Sequence, residues 1–320
     1  MSHEIEMVAG KGQMAYFGQT WHGLGTALDE SDIYDWQKTC VKSGLDWDVE
    51  LVPLQTADTQ VKVDHFAVRR TTDNRILGSV GPRYTVLQNR DAFQFFSPWL
   101  DAKEASLECA GSLRSGSRVW VLARLNRSAI EVAAGDIVEK FLLLSHGHDG
   151  SLSVRVGFTP IRVVCANTLA MAHGSDASQL IRVKHSRSVL DNLAAIRETI
   201  SIANKRFEAT ATQYRRLARK TINQQDIRKY VYRVLDIEDE SKASTRIMNI
   251  AQAMIDLAET GRGNDLPSVR GSLWASFNGI TEYLAYNRGN NGDTRLDSLW
   301  FGNSAVLNKK ALDVALDLAV

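Results

Sequence analysis

His146-Gly147-His148-Asp149 sets two imidazoles and a carboxylate within four residues, the densest group of metal-ligand types in the chain. A zinc ion needs three or four donors, and Cys165, His173 and His185 are the remaining candidates to complete a shell. The spacing lacks the helical-face logic of a zinc protease motif, so a polar hairpin tip is the plainer account and no metal is expected. His22 beside Trp21 reads as a turn histidine packed by its neighbour. Cys40, Cys109 and Cys165 stand far apart, in no CxxC pair and with no activating base nearby in sequence, as free thiols in a reducing cytoplasm would. There is no phosphate-binding lysine loop, no dinucleotide fingerprint, no serine-hydrolase elbow and no acidic pair on a strand. These absences point away from an enzyme, and no catalytic residue or cofactor is assigned.

Arginine is the residue type that recurs in an informative pattern. Arg69, Arg70, Arg83, Arg114, Arg118, Arg124, Arg155 and Arg162 all fall in or beside expected strands, where lysine is scarce, and Arg69, Arg83, Arg114, Arg118, Arg155 and Arg162 are expected to line a groove. A guanidinium grips phosphate with a planar fork and stacks on bases. Arg155 alternates with Val154 and Val156, and Arg162 with Ile161 and Val163, so each should point away from an apolar face. Tyr84, Trp120 and Phe158 stand close to these cations and could act as stacking platforms for a single strand. Lys184 and Arg187 extend the set into the next segment. The alternative is that the arginines form surface ion pairs and the aromatics fill the core.

The overall charge of +1 conceals a strong division. Residues 1–60 carry a net −7, residues 61–180 +3, residues 181–233 +9 and residues 234–320 −4. A basic block between acidic ends can attract polyanions by counterion release, or can be a solvated helix face balanced by those ends. No apolar run approaches the length of a membrane helix, and the N-terminus has no secretion-signal pattern, so the chain is expected in the cytoplasm.

These residues need a scaffold. The first sixty residues read as an acidic, loop-rich segment with one helix, from Asp35 through Val41. Residues 61–180 alternate with period two: Val61–Val68 and Ile76–Val80 around a turn at Thr72–Asn74, Leu107–Leu113 and Arg118–Leu125 around Arg114–Ser117, and Ile137–Ser145 and Leu152–Phe158 around His146–Gly150. A helix from Asn89 is expected to stop at Pro98, with a further strand at Ile161–Cys165 and a helix through Leu169 and Met171. Strands joined by short turns pair antiparallel, so the fold class is α+β, an antiparallel β meander with flanking helices followed by a helical C-terminal region. Within 181–260, Val189, Leu193, Ile196, Ile200, Ala203, Phe207, Thr210, Tyr214 and Leu217 form a seam of coiled-coil spacing with basic flanks. Residues 224–235 and 243–260 predict two more amphipathic helices, Gly261–Pro267 a linker, and 305–319 a last helix in the segment 261–320.

Several segments carry a resemblance. Trp21-His22-Gly23-Leu24-Gly25, Leu45–Val49, Gly81–Asn89, Ala110–Arg114, His148–Ser151, Thr159–Leu169, and Leu273-Trp274 with Thr281–Tyr283 resemble the phage/plasmid-like family catalogued as domain of unknown function 932, over essentially the whole chain. That resemblance implies a gene of phages, plasmids and integrated elements. The order of elements is also similar to that of phage single-strand annealing proteins, which hold one DNA strand in a basic groove of a ring or filament. On this basis the expected activity is single-stranded DNA binding in annealing, recombination or replication, by a homo-oligomer, with the named arginines lining the groove. The alternative is an interaction protein of a mobile element that docks a host factor on the 189–217 seam.

Overall fold

The computed structural model describes residues 5–18, 25–126, 129–162, 167–168, 181–288, 298–299 and 302–320; the side chains of 162, 167–168 and 197–208 lie outside that description. Trp21, His22, Cys165, His173, the segment 163–166 and the expected helix through Leu169 and Met171 also fall outside it.

Two sheets, not one meander, take up the strands expected in a single sheet, and a short N-terminal pair of strands makes a third. The short strands β1 (Met7–Val8) and β2 (Lys11–Gly12) form a hairpin of their own. β3 (Met14–Tyr16) and β4 (Thr26–Ala27) join the main sheet at one edge, so the supposed loop-rich N-terminus contributes to the scaffold. After α1 (Trp36–Lys42), β5 (Val49–Gln55), β6 (Lys62–Arg70) and β7 (Ile76–Val80) make a separate three-stranded antiparallel sheet. β5 carries Pro53 and a register shift beside it, which an edge strand tolerates because its outer side lacks a partner.

The short helices α2 (Asn89–Gln94) and α3 (Ser97–Asp101) lead into the main sheet. Its strands are β8 (Ala105–Leu113), β9 (Arg118–Leu125), β10 (Ile130–Ala133), β11 (Asp136–Gly147), β12 (Val154–Arg162), β13 (Asn167–Thr168) and β14 (Ile181–Val183). The order β13-β12-β11-β9-β8-β3-β4 makes β11, β9 and β8 its centre, with β14 and β13 both pairing β12. The two expected hairpins are present, β8–β9 around Arg114–Ser117 and β11–β12 around residues 148–153. Phase follows from alternation: Leu142 and Leu144 face one side with Val121, Val154 and Val156, while Phe141 and Leu143 face the other with Leu122 and Trp120.

α4 (Val189–Arg219) realises the seam as one 31-residue helix. Val189, Leu193 and Ile196 pack into the core that α1–α3 and the small sheet build on the main sheet. At its far end Ala211, Tyr214 and Leu217 enter a second core, made with α5 (Gln224–Val234), α6 (Thr245–Thr260), α7 (Leu273–Glu282) and α8 (Asn303–Leu318). Both described ends of the seam are therefore spent inside the chain and offer no docking face for a host factor. α7 is buried along its whole length, and Trp274 Nε1 donates to Asp136 Oδ2 at 2.7 Å, tying the helical part to β11.

Candidate functional site

The segments 81–88, 114–118, 147–153 and 182–188 meet at one end of the main sheet. Tyr84 Oη donates to the Gly147 carbonyl at 2.8 Å, and Thr85 N to the His185 carbonyl at 3.1 Å. His148 N donates to the Ser117 carbonyl at 2.8 Å, and an Arg118 Nη to Ser151 Oγ at 3.1 Å. Arg155 stands opposite Arg182 in the β12–β14 register. These four segments contain six cations, Arg83, Arg114, Arg118, Arg182, Lys184 and Arg187, against the single carboxylate of Asp149. That carboxylate accepts from Ser151 N at 2.9 Å and Ser151 Oγ at 2.7 Å, closing the turn. Arg83, Lys184 and Arg187 are exposed and form no ion pair among the described residues.

Under this basic rim lies a buried histidine cluster. His146 and His148 are both fully buried, edge to face with ring centroids 4.8 Å apart, and His185 lies 6.3 Å from His146. Asn89, turned inward rather than capping α2, donates from Nδ2 to the Leu45 carbonyl at 3.0 Å and the Trp47 carbonyl at 3.3 Å. Its Oδ1 therefore faces His148 Nε2, 3.0 Å away, which must be the protonated nitrogen. His148 Nδ1 and both nitrogens of His146 are buried without a hydrogen-bond partner. A charged imidazole here would bury an unpaired N–H, so burial, reinforced by His185 and Arg70, holds His148 down at about 3. Burial also drives His146 well below its ordinary value, helped by His148 and His185. His185 is lowered by burial against the opposing pull of the Thr85 and Leu152 carbonyls and Asp149. Among the described residues no group of three or more His, Cys, Asp or Glu could hold a metal ion.

The remaining expected positions fall elsewhere. Arg69 belongs to the small sheet, where its guanidinium meets Glu50 Oε1 at 2.7 Å. Its neighbour Arg70 is buried over the Trp47 ring and bonded to Glu6 at 3.0 Å and Asp73 at 2.6 Å, a structural role. Position 162 lies seven residues beyond Arg155 on the same strand, about 23 Å along it, and its side chain lies outside the described residues. Trp120 is 1% exposed and Phe158 6%, both within core clusters, so neither can stack on a base. Tyr84 is half-buried and stacked on His185, at a centroid distance of 4.7 Å.

Alternation alone could not reveal that Glu108, Arg124 and Glu139 meet across β8, β9 and β11, with Arg124 3.8 Å from Glu108 and 3.4 Å from Glu139. Burial pushes Glu108 up to about 7, with Arg124 opposing and Glu139 reinforcing. The two described thiols are poor nucleophiles, since burial raises Cys40 and Cys109 to about 12.

A family model described as Domain of unknown function (DUF932) matches residues 76–309, most of the chain. The chain belongs to that family. No curated protein matches, and no solved structure does. Three of the segments that carry the resemblance, Leu45–Val49, Gly81–Asn89 and His148–Ser151, converge on the histidine cluster through the bonds above and through Gln88, whose side chain bonds the Val49 backbone at 3.0 and 2.9 Å, and Ala110–Arg114 joins the rim where Ser117 N donates to the Arg114 carbonyl at 3.2 Å. No helix among the described residues is long and apolar enough to cross a membrane.

Proposed function

We propose that this chain binds single-stranded DNA at the basic end of its main sheet, as a cytoplasmic accessory protein of a phage or plasmid acting in strand annealing, recombination or replication. The observation that carries this reading is the gathering of six cations from four segments that contain one carboxylate, Asp149, whose Oδ1 is held by Ser151. Such a rim attracts a phosphate backbone by releasing its counterions, and it needs no acid, base or metal, hence no catalysis. Arg83, Arg114, Arg118, Lys184 and Arg187 carry the contact, Arg155 and Arg182 extend it, and Tyr84 is the remaining platform for a base. Repetition around a homo-oligomeric ring or filament would make the contact continuous.

The test is fluorescence anisotropy of a labelled oligo(dT) strand titrated with the chain at several salt concentrations. Binding at low salt should weaken steeply as salt rises, and the combined change Arg83→Gln, Lys184→Gln, Arg187→Gln should lower the salt slope by about 2, at roughly 0.7 per lost phosphate contact. Absence of binding at low salt ends the proposal.

A further inference from the structure

A second feature lies in the helical part, away from the basic rim, and is independent of the DNA reading. A cavity of about 680 Å³ opens between the start of α6, the end of α7 and α8, a volume suited to a small organic ligand. Arg246 and Arg288 both line it, and no Asp or Glu does among the described residues. Neither arginine forms an ion pair there, and Arg288 Nη1 is buried without any hydrogen-bond partner. A buried guanidinium nitrogen left unbonded is costly, which makes it a donor waiting for an acceptor.

The backbone that aims Arg288 is unusual. α7 continues into a π-helical turn, Tyr283–Asn287, closed by Arg288 N donating to the Tyr283 carbonyl at 2.9 Å. Such a turn inserts one extra residue and swings the following side chains out of helical register, and it recurs at ligand sites. Here it delivers Tyr283, Asn287 and Arg288 to the same cavity. Ile250, Met254 and Leu307 supply the opposing wall, so the cavity pairs a cationic rim with an apolar floor. We propose that it binds a small amphipathic anion, one carboxylate, sulfonate or phosphate group held by Arg246 and Arg288 with an apolar or aromatic body against that floor.

The probe is anilinonaphthalene sulfonate, an aromatic anion, titrated by fluorescence into the full chain, with uncharged phenylnaphthylamine as control. One saturable site per chain is expected, with the neutral compound about a hundredfold weaker, since it loses two charge-assisted contacts each worth about tenfold. Arg288→Gln and Arg246→Gln should each weaken the dye by about tenfold, and Leu307→Trp should block it by filling the floor. Circular dichroism checks folding, and exposed Arg246 carries the test if Arg288→Gln unfolds. No saturable site, equal affinity for the neutral compound, or unchanged affinity in both arginine variants overturns the proposal.

Discussion

Acidifying the solution from about pH 7.5 to about pH 5 should destabilise the fold through His148, and the size of the effect follows from its surroundings. The unfolded chain takes up a proton near 6.5, whereas burial and a bare Nδ1 hold the folded imidazole neutral down to about 3. In the window between those values the unfolded state binds more protons, so stability falls as pH falls through it, by about 2 kcal/mol at pH 5. Glu108 works in the opposite direction. Its folded value of about 7 lies above the ordinary 4.5, so the folded state binds more protons in that range and acidification returns a similar amount. His146 and His185, also held neutral by burial, add to the loss on acidification, so the wild-type profile sums several opposed groups and is not diagnostic of His148 alone. The diagnostic quantity is the difference between wild type and His148→Gln, each unfolded in urea across this range. The glutamine keeps a donor for Asn89 Oδ1 and does not titrate, so wild type should lose about 2 kcal/mol more than the variant between pH 7.5 and 5. Parallel profiles would show that His148 is already charged or solvated in the fold, and the buried-cluster description would fail.

Other outcomes follow from the same contacts. Arg70→Ala removes the closest cation from Glu6, which is 4% exposed and keeps only Arg75 Nη1 at 3.5 Å and the Ser112 hydroxyl at 3.0 Å, and should cost about 3 kcal/mol in urea unfolding; a loss under 1 kcal/mol would mean that Arg75 and water compensate that carboxylate. His146→Leu removes two unpartnered nitrogens and should leave stability within about 1 kcal/mol of wild type or above it, so a large loss would reveal a bond that the folded geometry does not show. A Cβ at Gly279 would sit 2.6 Å from the backbone nitrogen of Ala258, so Gly279→Ala should force α6 and α7 apart and lower the melting temperature by several degrees, roughly 1–3 kcal/mol of overpacking; an unchanged transition would contradict the tight crossing.

The parts of this fold that follow local rules were readable in advance. The hairpins expected at Arg114–Ser117 and His146–Gly150 announce themselves by turn chemistry between alternating runs, although β11 runs on through Gly147, and α4 by its seam. α7 was not placed because a helix buried on every side keeps no solvent face to give a period, and its Ser276, Asn278 and Thr281 are buried with the rest. The split into two sheets was hidden because β5, with Pro53, reads as a loop, and because nothing in local sequence says that β3 will lie beside β8. The site was legible in composition but not in placement. Arg69 looked like Arg83 until Glu50, nineteen residues away, appeared beside it, and Arg70 is held by Glu6 from sixty-four residues upstream. Alternation correctly turned Arg155 away from Val154 and Val156, but it could not show that the reverse face around Trp120 is also buried.

Hydrogen–deuterium exchange of the full chain with and without oligo(dT) locates any contact without a substitution. The proposal predicts slowed exchange in peptides covering 81–88, 114–118, 147–153 and 182–188, with the three-stranded sheet and α5–α8 unchanged. Protection confined to β5–β7 or to the helical part, or none under conditions where the strand is bound, would contradict it.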